Sequence, residues 1–173
     1  MTTQDIIFSS IENVIKSYYS KRFQNKKTFD TVLLVDKIVK SKIVGVGQTM
    51  VMDGKYKCVN EDDWKEILSM FWAKKEKWTE EWDCDKFAIE LKSFCNKLGI
   101  NSCGIAIGFL NETMHAFNIY VNSDLEVFVV EPQTGNKCEV ENDNFVFIAG
   151  NKYKISNIII WWKELIYTMK NLT

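Results

Sequence analysis

The chain has 173 residues, a formal net charge of -1, 46% hydrophobic residues and 13% aromatic residues. That length is most simply one domain, and the apolar content is enough for a substantial core, which excludes a disordered chain. The near-neutral balance excludes the basic excess expected of a binder of nucleic acid or anionic membrane.

The first residues, Met1-Thr2-Thr3-Gln4-Asp5, carry no basic stretch followed by an apolar run, so no secretory signal is expected. Residues 4–23 place Ile7, Ile11, Val14, Ile15, Tyr18 and Tyr19 at helical spacing. Thr28-Phe29-Asp30 opens either a second helix or a strand, with Val32, Leu33, Val35, Ile38 and Val39 following. Gly45-Val46-Gly47-Gln48 breaks the pattern, and Met52-Asp53-Gly54-Lys55 reads as a turn. Asn60-Glu61-Asp62-Asp63 then starts a helix bearing Trp64, Ile67, Leu68 and Phe71. The run Lys74, Lys75, Lys77 reads as a solvated face.

A further helix follows Asp83, whose carboxylate is placed to cap it. Cys84, Phe87, Ala88, Leu91, Phe94, Cys95 and Leu98 form its apolar stripe, and Gly99 ends it. From residue 102 the period becomes two. Strands are predicted over 102–110, 114–121, 125–131, 144–149 and 153–161, and a short helix over 162–172. The whole is one domain: an N-terminal helical part over about 1–58, a core over about 60–161 and the C-terminal helix. Five cysteines without CxxC spacing fit reduced thiols in the cytoplasm. No apolar run is long enough to span a bilayer.

His115 is the only histidine, and so the only side chain with an unperturbed pKa near 7. With Asn122-Ser123-Asp124 as a turn, Ile119 faces Val127, Phe117 faces Val129 and His115 faces Glu131. Opposed residues share a face of the sheet. If the helix that starts at Cys84 packs on that face, thiol, imidazole and carboxylate converge as a nucleophile, a base and an orienting acid. Gln48 is a candidate oxyanion donor, and Trp78, Trp82, Asp85 and Gln133 are candidate cleft residues. Glu80, Glu81, Asp83 and Asp85 surround the thiol with negative charge. That charge disfavours a thiolate unless the carboxylates point away or a hard cation such as calcium neutralises them. No cofactor is otherwise required.

Three segments together, Trp82-Asp83-Cys84-Asp85-Lys86-Phe87-Ala88, His115-Ala116-Phe117-Asn118 and Glu131-Pro132-Gln133-Thr134, resemble the C-terminal domain of the fairy-ring mushroom agglutinin and its relatives. Many of those relatives belong to bacteria and bacteriophages. The resemblance covers about residues 60–161. It implies an α+β, papain-like fold, with the nucleophile helix packed on an antiparallel sheet. It also implies a calcium-dependent cysteine protease that dimerises, with Cys84, His115 and Glu131 as its triad. The expected activity is hydrolysis of a peptide or amide carbonyl, with a peptide or protein as substrate. Two alternatives stand beside it. One is a catalytically silent binding or inhibitor protein, for example phage-encoded and acting on a host protein or a small ligand. The other is acyl transfer of the transglutaminase or deamidase type. The apolar segment Ile158 to Trp162, with Leu165, Ile166 and Met169, is a candidate homodimer surface.

Overall fold

The computed structural model describes residues 17–18, 22–39, 42–43, 45, 47–51, 53–73, 79, 83–140 and 143–160. Most of the expected N-terminal helix, the whole C-terminal helix and the candidate dimer residues from Trp161 onward lie outside these. No helix among the described residues is long and apolar enough to cross a membrane.

The described chain runs β1 (Lys27–Asp30), a π-helix (Val32–Val39), β2 (Gln48–Val51), β3 (Lys55–Cys58), α1 (Glu61–Trp72) and α2 (Cys84–Lys97). It continues through β4 (Cys103–Leu110), β5 (Thr113–Val121), β6 (Val127–Val130), β7 (Lys137–Glu139), β8 (Phe145–Ile148) and β9 (Asn151–Ile160). Strands β1 and β3 form a separate antiparallel pair. The others make a seven-stranded sheet in the order β2-β9-β4-β5-β6-β7, with β8 also pairing β9. β2 runs parallel to β9; the other pairings are antiparallel.

Both helices start and stop for local reasons. Asn60 Oδ1 accepts the Asp63 amide at 2.7 Å, and Glu61, Asp62 and Asp63 complement the helix dipole. α2 ends where Gly99 takes φ +73, with Gly99 N–H donating to Asn96 O and Ile100 N–H to Cys95 O. Asp83 does not cap α2 through its side chain as expected. Its carboxyl hydrogen-bonds to that of Asp85 instead.

The sheet is apolar on both faces. On one, Ala106, Phe117, Ile119, Val121, Val127, Val129, Tyr153 and Ile155 pack with Leu34, Val35 and Val39 of the π-helix. On the other, Cys103, Tyr120 and Val130 pack with Trp64, Ile67 and Leu68 of α1 and Leu91 and Cys95 of α2. Trp64 and Tyr120 stack at 4.0 Å between centroids. Asn118, fully buried, donates to Ala88 O at 2.8 Å and to Gly104 O at 3.0 Å, tying α2 to the sheet.

These placements correct the expected papain-like arrangement. Strands dominate the described chain. The helix that starts at Cys84 packs against the even-numbered residues of β5, the face opposite the one that His115 shares with Phe117. The hairpin register differs as well. Ile119 pairs Val129 and Val121 pairs Val127. Asn122 Oδ1 accepts from both Asp124 N–H and Glu126 N–H, which widens the turn and delays β6. A two-residue slip preserves facing, so His115 and Glu131 still share a side.

Candidate functional site

His115 stands near the start of β5, and Glu131 follows the last residue of β6. They meet diagonally, with His115 Nε2 and Glu131 Oε2 2.6 Å apart. Glu131 is 2% exposed. Tyr153 OH donates to the same Oε2 at 3.2 Å, and the Gln133 amide donates to Oε1 at 3.0 Å. Three donors satisfy the buried carboxylate, which would be costly to bury alone. With that carboxylate ionised, the proton of the His115–Glu131 contact belongs to Nε2. Burial, then the neighbouring Glu131, raises the Tyr153 phenol well above its usual range.

The loop around Glu131 is held from both sides. Thr134 and Gly135 donate to Glu131 O, and Glu131 N–H donates to Asn136 O. Trp72 Nε1–H donates to Pro132 O at 3.1 Å. Gly135 has φ +86, and a Cβ there would run into the Trp72 indole.

Of the other expected site residues, the described Cys84, Gln48 and Asp85 make no hydrogen bond to this cluster. Cys84, half-buried at the first turn of α2, packs with Ile107 against Ala88, Ile105 and Ala116. Among the described residues no hydrogen bond joins its thiol to His115, whose bonded partner is Glu131. Gln48 is exposed on edge strand β2, its amide donating to Asn157 Oδ1 at 3.1 Å. Asp85 is exposed. Trp78, Trp82, Glu80 and Glu81 lie outside the described residues. Of the four acidic residues, Asp83 and Asp85 are described; they share a hydrogen bond that lowers one pKa and raises the other. Lys86 Nζ stands 3.8 Å from Asp83 Oδ1. Among the described residues no group of three or more His, Cys, Asp or Glu side chains is placed to hold a metal ion.

Sequence reasoning missed Tyr153 and Trp72. The 2.0 period marked β9 as a strand, but nothing local placed it beside Glu131. Trp72 falls next to the apolar stripe of α1, and nothing local shows that its indole N–H reaches a loop carbonyl.

The model of the ricin-type beta-trefoil lectin C-terminal domain matches residues 11–149. The chain belongs to that family. Two solved structures are similar to it. The "PSL1a-E64 complex" is 20% identical, with a TM-score of 0.58 over 76% of this chain and 51% of that one. Polyporus squamosus lectin, bound to the human-type influenza-binding epitope Neu5Acα2-6Galβ1-4GlcNAc, is 20% identical, with a TM-score of 0.57 over 76% of this chain and 49% of that one. The chain thus spans about half the length of each of these two chains. At this identity the likeness concerns the fold. No curated protein matches the chain.

The family match corrects four expectations. The resemblance and fold are those of a lectin-family domain rather than a papain-like protease domain. The cysteine hydrolase, and the acyl-transfer variant built on the same triad, give way to a lectin assignment. The expected peptide substrate is not supported: the family match is to a lectin domain, and the similar Polyporus squamosus lectin is bound to a sugar epitope. The binding-protein alternative comes closest, as a lectin rather than a phage inhibitor.

Proposed function

We propose that this chain is a non-enzymatic, carbohydrate-binding module of a lectin. The observation that carries the reading is the family match over residues 11–149. Two features of the site support it. The thiol at the start of α2 packs on one face of β5 while the imidazole sits on the other. Glu131, with its three donors, acts as a clasp that fixes the 131–136 loop to β5 and β9. The five free cysteines support a reducing compartment such as the cytoplasm.

A glycan array probed with the full chain tests the reading. Binding to a defined set of glycans, unchanged in Cys84→Ala, is expected. Binding to none, together with peptide hydrolysis or labelling of Cys84 by E64, would overturn it.

A further inference from the structure

Three of the free cysteines, Cys58, Cys95 and Cys103, are fully buried. A buried cysteine is ordinarily a small hydrophobe. Cys58 fits that description, with Ser102 as its hydrogen-bond partner. Cys95 and Cys103 differ because they meet each other. Cys95 lies on the last turn of α2, and Cys103 opens β4. The tight turn through Gly99, with Ile100 N–H donating to Cys95 O, folds the chain back so that the two sulfurs touch. Cys95 S–H donates to Cys103 Sγ. The Cys103 thiol is itself turned toward Gly104 O at 3.8 Å, and the Asn118 side chain also hydrogen-bonds it.

A buried charge stands beside the pair. Lys92, 2% exposed, lies one turn before Cys95 on α2. Its Nζ donates to Asn96 Oδ1 at 3.0 Å and to Asn101 O at 3.3 Å. A nearby ammonium favours a thiolate. The hydrogen bond from Cys95, then Lys92 and Asn118, lowers the Cys103 thiol against the effect of burial. Burial, then that same hydrogen bond, raises the Cys95 thiol. The two sulfurs are therefore unequal: one suited to attack, its neighbour keeping a proton.

We propose that Cys95 and Cys103 are a redox pair that hydrogen peroxide closes into a disulfide, stapling the last turn of α2 to the first residue of β4. Peroxide fits because it is scarcely larger than water, whereas a glutathione disulfide has no room beside two fully buried sulfurs. The Cys103 thiolate attacks one peroxide oxygen. The O–O bond breaks, and hydroxide leaves with the proton that Cys103 had released, as water. Cys103 is then a sulfenic acid. The Cys95 sulfur attacks the Cys103 sulfur, the S–S bond forms, and the oxygen departs with the Cys95 proton as a second water. The two sulfurs together lose two electrons, and one peroxide becomes two waters. The sulfurs close from hydrogen-bond contact to about 2.05 Å. Asn118 already ties the first half of α2 to the sheet through Ala88 O, and the disulfide ties the other end.

Peptide mapping without reductant tests this, after peroxide treatment of the full chain and alkylation of the remaining thiols in denaturant. A linked Cys95–Cys103 peptide is expected, with Cys58 recovered as the alkylated thiol although it is equally buried. Cys95→Ala should stop one step earlier, with a Cys103 sulfenic acid captured by dimedone, and Cys103→Ala should leave Cys95 unlabelled. The linked chain should need more urea to unfold, and dithiothreitol should reverse that gain. Recovery of Cys95 and Cys103 as alkylated thiols overturns the proposal, and so does a link from either of them to another cysteine. Dimedone on Cys95 in Cys103→Ala, with none on Cys103 in Cys95→Ala, overturns the order of attack. An unchanged or lower urea midpoint in the linked chain overturns the staple. The wild-type map decides even where a variant fails to fold.

Discussion

The two faces of the sheet hold opposite solutions to one problem. On the His115 face, every polar group of a buried carboxylate is answered from within the chain, by an imidazole, a phenol and an amide. On the Phe147 face, large apolar rings and two lysines are left facing water. The first arrangement is complete without a ligand and contributes stability. The second costs hydration of apolar surface and is the place where a partner gains most. A histidine beside a glutamate draws attention in a sequence, yet here it behaves as a fastening.

Removing the fastening is the strongest way to break this contrast. His115→Ala leaves Glu131 buried with one donor fewer, and a loss of about 3 kcal/mol is expected in urea denaturation. A loss near zero would mean that the cluster is not structural. Gly135→Ala asks for a positive φ and displaces Trp72, so about 2 kcal/mol should go by the same measurement.

Proton linkage sharpens the buried side. Burial raises the Tyr120 phenol, so the folded state holds its proton at pH values where the unfolded state releases it. The stability from this group is present below the unfolded pKa, about 10, and is lost as pH rises past it. Tyr120→Phe should therefore make the alkaline fall in stability less steep, by about one proton. Thiol reactivity separates the layers further. Cys84 and Cys138, half-buried, should react with iodoacetamide before the buried Cys58, Cys95 and Cys103. Burial pushes the Cys58 thiol up to about 12, so peptide mapping at pH 8 should find it unmodified. The smallest effect belongs to the exposed face. Phe147→Ala should change the urea midpoint by less than about 0.5 kcal/mol, and a larger loss would show that the face is part of the core.

Much of the scaffold was legible in the sequence. Asn60 announced α1, and the stripe from Phe87 to Cys95 together with Gly99 bounded α2. Alternation marked β4, β5, β8 and β9 to within a few residues. The strands that escaped, β2, β3 and β7, have three or four residues each and form by pairing rather than by pattern, and β1 is one of the two readings that Thr28–Asp30 allows. Gln48 pairs with Asn157, far along the chain, and no local signal carries that. The His115–Glu131 contact was readable because facing survives a two-residue slip. The thiol's position was not. β5 is apolar on both sides, with Phe117, Ile119 and Val121 on one and Ala116 and Tyr120 on the other, so alternation alone did not say which side the helix would cover. The motifs around Cys84, His115 and Glu131 pointed to a protease where the family match is to a lectin domain.

One irregularity decides which residues the outer face displays. Between Ile107 and Gly108 of β4 the partner strand shifts, so that Ile107 meets Asn157 while Gly108 meets Ile155. Ser156 is the residue left over. Because of it, Ile155 and Ile158 enter the same core although they stand three apart, and Lys152 and Lys154 stay outside. Gly108 fits the crossing because a Cβ there would strike the Lys154 carbonyl. Ser156 therefore works as a phase shifter between two reading frames of one strand. Deleting it would force a choice: keep the isoleucines inside and turn the lysines inward, or keep the lysines outside and expel Ile158. A single codon at this bulge thus holds the core and the outer surface in step.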